Sequence, residues 1–191
     1  MNKEVLRKIY GDARKKLTSE QCAHFNLQLY HLFFLYADLS FIKVIHTYLP
    51  LEKNNEPDTW AIIDRIRREF PHIRISIPKV NRRTNELENF YFEGLHQIEI
   101  NVWGIPEPKE GILTPSEHID LVLAPLLTFD ELGNRVGYGK GYYDRFFSRC
   151  RTDCKRVGLS FFDPVELISD VNKYDVKLNS CITPKQVYHF Q

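Results

Sequence analysis

The sequence predicts an α/β fold, a layered unit with a largely parallel central sheet flanked by helices. Three observations lead to it. Segments with apolar residues at helical spacing alternate with short β-branched runs along the chain. At 191 residues the chain has the size of one domain, so residues 1–191 are expected to form a single unit. No repeat, low-complexity tract or long linker interrupts it.

Taken in order, residues 3–16 read as an amphipathic helix with Leu6, Ile9, Ala13 and Leu17 at helical spacing. Thr18 and Gln21 have the spacing of a capping box, which starts a second helix carrying Phe25, Leu29, Leu32, Phe33 and Tyr36 inward. Residues 41–49 are apolar and partly β-branched, and Pro50 closes them as a buried strand. A helix follows over about 58–70, with Pro57 near its first turn. Residues 73–77 form a strand stopped by Pro78, residues 87–92 another, and 98–100 a short piece. Residues 101–116, rich in proline and glycine, are expected to be an ordered loop. Residues 121–124 form an apolar strand ending at Pro125. Then come a helix over about 141–151, a strand at 156–160 and a last strand near 180–183.

Composition excludes several classes. With 26 basic against 25 acidic residues there is no basic excess to hold a phosphate backbone, so no nucleic-acid partner is expected. No apolar run approaches the roughly 18 residues of a membrane span, so no membrane association is expected either. The N-terminal residues lack the apolar stretch of a signal peptide, which makes the cytoplasm the expected compartment. Cys150 and Cys154 are four apart, unlike a zinc or redox pair, and the other two cysteines are distant, so reduced thiols are expected. The seven histidines form no metal motif.

In open parallel sheets, ligands bind beyond the carboxyl ends of strands. The segment after residues 121–124 carries the densest chemistry. Gly137, Gly139 and Gly141 alternate, a helix starts at once, and Arg135, Lys140 and Asp144 lie among them. Glycine permits positive φ and close approach of a ligand to the backbone. Successive N–H groups and a helix N-terminus favour an anion, the two cations add full charge, and Asp144 offers a hard oxygen to Mg²⁺. The pattern is neither a Walker A loop nor a Rossmann fingerprint, because Lys140 is followed by Gly141 and the glycine spacing differs. The glycines alone would equally suit an ordinary tight turn.

Residues 133–145, Gly-Asn-Arg-Val-Gly-Tyr-Gly-Lys-Gly-Tyr-Tyr-Asp-Arg, preceded by Pro125 and Phe129-Asp130, closely resemble the signature of 5-formyltetrahydrofolate cyclo-ligases. Lys3 and Arg7 resemble that family's N-terminal basic pair, and residues 56–59 its acidic motif. Residues 103–108 resemble its proline-containing loop and residues 174–178 its late aspartate motif, so the resemblance spans nearly the whole chain. Two departures bear on local geometry. Residues 126–128 read Leu-Leu-Thr where the family often has Pro-Gly before its Phe-Asp, and residues 51–55 are longer than usual.

The resemblance implies ATP-dependent cyclisation of 5-formyltetrahydrofolate to 5,10-methenyltetrahydrofolate through a phosphorylated formyl intermediate, with Mg²⁺, in a monomer whose substrate carries one or more glutamates. It assigns catalysis to Lys140, Arg135 and Tyr142. ATP falls to Lys3, Arg7, Arg135, Gly137, Tyr138, Gly139, Lys140, Gly141, Tyr142 and Tyr143. Folate falls to Arg7, Glu56, Trp103, Tyr138, Gly139, Lys140, Gly141 and Tyr142, and the metal to Asp144 and Asp175. Read without it, Lys3 and Arg7 are equally a solvated basic face, Glu56 a surface carboxylate before a helix, and Tyr142 or Tyr143 a core aromatic. Trp103 and Phe90-Tyr91-Phe92 suit either ring stacking or the core. Lys79, Arg82 and Arg83 form a basic loop that suits either the glutamate tail or solvent. The alternative class is a non-catalytic nucleotide- or folate-binding protein; a sugar-phosphate isomerase is a third, and nucleotide dependence separates it.

Overall fold

The computed structural model describes residues 1–190. In chain order the elements are α1 (Lys3–Lys15), α2 (Ser19–Tyr36), β1 (Val44–Thr47), α3 (Trp60–Glu69), β2 (Arg74–Asn81), β3 (Glu86–Tyr91), β4 (Ile98–Ile100) and β5 (Pro106–Pro108). They continue with β6 (Leu121–Ala124), β7 (Thr128–Phe129), β8 (Arg135–Val136), α4 (Tyr142–Phe147), β9 (Lys155–Leu159), β10 (Ser180–Ile182) and β11 (Val187–His189). Seven strands make one sheet in the order β11-β10-β9-β6-β1-β2-β3. The five inner strands are parallel and the two edges, β3 and β11, run antiparallel.

All four residues of β6 are buried, as expected for a strand covered on both faces. Leu121 and Leu123 point to the layer formed by Leu29 and Phe33 of α2 and Ile62, Ile63 and Ile66 of α3. Val122 and Ala124 point the other way, to Phe146 and Phe147 of α4. Burying each α3 isoleucine contributes roughly 1.5–3 kcal/mol. The capping box of α2 forms as expected, with Gln21 N donating to Thr18 Oγ1 at 3.1 Å and Thr18 N to Gln21 Oε1 at 2.9 Å.

Several elements differ from expectation for local reasons. Tyr36 is 57% exposed because α2 ends there and the chain leaves extended at Ala37. Ile9 is exposed because α1 anchors through Leu6, packed with Val136 and Ile168, and buries Arg14 instead. β1 starts at Val44, leaving Phe41 exposed; the N–H groups of Lys43 and Val44 are held by the Asp120 carboxylate. Pro78 does not stop β2. It lies past Ser76, the last residue paired with β1, so its missing N–H faces only one neighbour. The proline loop contains β5, an edge strand paired with β4, where proline is tolerated. α4 ends at Phe147, not residue 151, because bonding tightens to i→i+3 turns at Arg149 and Cys150.

The chain leaves β1 through α3 toward β2, and leaves β6 through α4 toward β9, in the opposite direction. The strand order therefore reverses between β1 and β6. Their carboxyl ends bound the crevice where an open sheet binds ligands. Among the described residues, no helix is long and apolar enough to cross a membrane.

Candidate active site

A cleft of about 1530 Å³ opens at this reversal. Every residue singled out for ATP, folate or metal lines it, from Lys3 and Arg7 of α1 to Asp175 in the tail. Two loops build it. The one after β1 carries Glu56, and the one after β6 carries residues 135–144.

The second loop is fixed from below by Asp130, whose carboxylate is fully buried without a cation. It accepts from the backbone N–H groups of Leu132 (3.0 Å), Asn134 (2.9 Å) and Ile168 (3.1 Å), and from the Asn134 amide (2.9 Å). That ties the turn between β7 and β8, so Arg135 leaves it in a set direction. Arg135 donates to Asp144 Oδ1 at 2.9 Å and to the Val176 carbonyl at 2.5 Å. Burial pushes its pKa down, and the Asp144 charge opposes that.

Lys3 pairs with Asp175, whose Oδ2 also accepts the Asn172 N–H at 2.6 Å. The Val176 N–H donates to Asp144 Oδ1 at 3.1 Å, so Asp144 is tied to the residue that follows Asp175. Asp144 Oδ2 and Asp175 Oδ1 have no hydrogen-bond partner among the described residues. Two carboxylate oxygens without hydrogen-bond partners are hard donors of the kind Mg²⁺ takes, commonly one or two carboxylates plus substrate phosphate and water. Among the described residues, no group of three or more acidic, His or Cys side chains forms a complete protein cage.

The glycines are not equivalent. Gly139 has φ +86°, and a Cβ there would lie 3.1 Å from the Arg7 guanidinium. Gly141 has φ +67°, and its Cβ would meet Arg145 Nη1 at 2.8 Å. Gly137 has neither constraint; its carbonyl accepts from Arg7 Nε at 3.0 Å. With only six residues in α4, helix-dipole help is short-ranged, and the anion attraction rests on the side-chain cations. Lys140 is exposed and free of salt bridges among the described residues. Tyr142 is half-buried under the Arg145 guanidinium. Tyr143 packs edge-on against Phe146 and Phe147 beside buried His46, whose Nε2 lies 3.3 Å from its hydroxyl. Burial, reinforced by Glu56, pushes the Tyr143 pKa up. Burial pushes His46 down to about 3, so it is a neutral ring.

At the other end, Glu56 is 8% exposed. Its Oε2 accepts the Leu51 N–H at 2.8 Å and its Oε1 the Tyr138 hydroxyl. Tyr48 lies under it, its hydroxyl donating to the Pro57 carbonyl at 3.0 Å; burial and then Glu56 raise the Tyr48 pKa. The extra residues 51–55 end at Asn55, in a left-handed conformation, whose amide donates to the Arg14 and Leu17 carbonyls at the end of α1. Trp103 stands half-exposed at the rim under Arg82, whose guanidinium carbon is 3.5 Å from the ring centre.

Some residues lie elsewhere than stacking or tail binding would need. Phe90, Tyr91 and Phe92 are buried core residues. Lys79 donates to the carbonyls of Pro108 and Lys109 and is not free for a ligand's tail. The sequence reading missed Arg14, His46 and the role of Asp130. Arg14 was legible: residues 3, 7 and 14 fall on one helical stripe.

The sequence model of the 5-formyltetrahydrofolate cyclo-ligase family matches residues 1–184. The mitochondrial 5-formyltetrahydrofolate cyclo-ligase of Arabidopsis thaliana is 26% identical over 168 residues, covering 76% of this chain but only 60% of that protein's length, less than two thirds. The Escherichia coli (strain K12) 5-formyltetrahydrofolate cyclo-ligase is 25% identical over 184 residues, 93% of this chain and 97% of the bacterial protein. The NMR structure of Aquifex aeolicus 5,10-methenyltetrahydrofolate synthetase superposes with a TM-score of 0.84 at 25% identity, covering 100% of this chain and 94% of that one.

Proposed function

Because this chain belongs to the 5-formyltetrahydrofolate cyclo-ligase family, we propose that it converts 5-formyltetrahydrofolate and ATP to 5,10-methenyltetrahydrofolate, ADP and phosphate. One observation carries the reading: a single cleft gathers four cations at one end (Lys3, Arg7, Arg135 and Lys140, with Lys3 paired to Asp175 and Arg135 to Asp144) and the Glu56 carboxylate at the other. The first suits a triphosphate. The second suits the N–H donors of a reduced pterin.

The chemistry needs ATP because an amide-like formyl carbon is a poor electrophile and its oxygen a poor leaving group. The formyl oxygen attacks the γ-phosphorus, and ADP departs with the electrons of the broken P–O bond. The resulting iminium phosphate is attacked by N10 of the same molecule. A C–N bond forms, N10 loses its proton, and phosphate leaves with the former formyl oxygen. The protein supplies no nucleophile; it positions the partners and offsets charge. Arg135 and Lys140 face the transferring group, and Arg7, seated under Gly137, bridges nucleotide and folate. Tyr142 closes the side of the reacting space. Bound at Asp144 and Asp175, Mg²⁺ would supply charge neutralisation and orientation to the phosphates.

The folate glutamates extend past Trp103 and Arg82 at the rim, and the enzyme works as a monomer in the cytoplasm. Four free thiols fit a reducing compartment. The test mixes pure protein with 5-formyltetrahydrofolate and follows the methenyl absorbance band. A rise that requires Mg-ATP supports the proposal; no rise from folded protein that still binds nucleotide refutes it.

A further inference from the structure

Arg14 is a guanidinium buried at 4% exposure on α1, outside the residues assigned above. Its Nη1 donates to the Leu126 carbonyl at 3.1 Å, and its Nη2 donates to the Tyr138 hydroxyl. That same Nη2 lies 3.9 Å from Glu56 Oε1. Its Nε is buried with no partner. The guanidinium carbon also sits 5.6 Å from the Tyr138 ring centre.

We propose that Arg14 is a positioning residue that presents the Glu56 carboxylate to the substrate. The Tyr138 hydroxyl occupies the substrate's place on Oε1 until it binds. The inference rests on the reading of Glu56 as the folate's acceptor. Three features argue for it. Glu56 is too buried to be balanced by solvent, and among the described residues Arg14 is the cation within ion-pair distance of it. One oxygen of Glu56 is committed to the Leu51 backbone, so Arg14 and Tyr138 determine what the other oxygen can receive. Tyr138 is 45% exposed in the cleft and its hydroxyl bridges Arg14 and Glu56, so it is the group an arriving ligand meets on Oε1. With its charge already balanced, Glu56 reads hydrogen-bond donors, not positive charge. That selects a neutral heterocycle bearing ring N–H groups.

The test is calorimetric titration with 5-formyltetrahydrofolate in the absence of nucleotide, and separately with a non-hydrolysable ATP analogue. The proteins are the wild type, Arg14→Met, Arg14→Lys, Glu56→Gln and the Arg14→Met/Glu56→Gln double variant. Loss of a charged hydrogen-bonding partner predicts folate binding weakened about tenfold or more in Arg14→Met, with analogue binding within about twofold of wild type. Arg14→Lys keeps part of the folate affinity. The double variant binds folate no more weakly than Glu56→Gln alone, because Arg14 acts through Glu56. Unchanged folate affinity in Arg14→Met, or losses that add in the double variant, overturn the proposal. If Arg14→Met fails to melt cooperatively, the same criteria apply to Arg14→Lys and its double with Glu56→Gln. Wild type that binds no folate overturns the functional reading itself, and this inference with it. Wild type that binds folate but does not cyclise it overturns the reaction and leaves Arg14 to be judged by the titrations.

Discussion

The glycine segment offers a matched pair of perturbations two residues apart. Gly139→Ala places a Cβ at φ +86°, 3.1 Å from both the carbon and Nε of the Arg7 guanidinium. The left-handed backbone costs an L-residue about 1–2 kcal/mol. The crowding falls on the side chain that holds the Gly137 carbonyl at 3.0 Å. If the loop must keep this shape to hold the triphosphate, that energy appears as about a five- to thirtyfold loss in kcat/KM for ATP. Gly137→Ala meets nothing within 4 Å and needs no positive φ, so it stays near wild type. The assay is the initial rate of methenyl absorbance at varied ATP, with melting curves confirming that both variants fold. Equal damage from the two substitutions, or a silent Gly139→Ala, would refute this account of the loop.

Three further perturbations separate site from scaffold. Lys140→Ala removes an exposed cation, so turnover should fall about 10²–10³-fold, as for loss of one preorganised donor, while thermal stability holds. A comparable drop in melting temperature would contradict this. Asp130→Ala strands three buried or half-buried backbone donors and should destabilise by about 3 kcal/mol, read by urea unfolding. An unaltered midpoint would show that the turn holds without it. His46 has a folded pKa near 3, below the ordinary 6.5 of the unfolded chain. The unfolded state therefore binds the extra proton as pH falls below 6.5, and stability drops by about 2 kcal/mol by pH 5 from this group. His46→Leu should flatten that part of the pH profile, and an identical slope in the variant would exclude the assignment.

The parallel core was legible because β1, β2 and β6 each contain a short apolar or β-branched run, and helices lie between β1 and β2 and between β6 and β9. Residues 121–124 and the Thr18–Gln21 cap are cases where local chemistry and tertiary fold agree. What escaped was decided by context. β7 and β8 have two residues each, too few for any period, and exist because Asp130 gathers the backbone between them. Pro78 reads as a stop in isolation, and only the end of pairing with β1 makes it harmless. At the site, motif residues were readable one by one, yet their contacts were not. No spacing reveals that the Tyr138 hydroxyl rests on Glu56 or that Asp144 accepts the N–H of the residue after Asp175. Arg14 was hidden by the habit of assigning charge to solvent, although it lies on the stripe of Lys3 and Arg7.

The central claim is that the cleft transfers phosphate to the formyl oxygen before the ring closes. A single turnover with substrate carrying ¹⁸O in the formyl group tests it directly, with the released phosphate analysed by mass spectrometry. The account predicts one ¹⁸O atom in each phosphate formed. Phosphate without the label, appearing in step with the methenyl product, would contradict it.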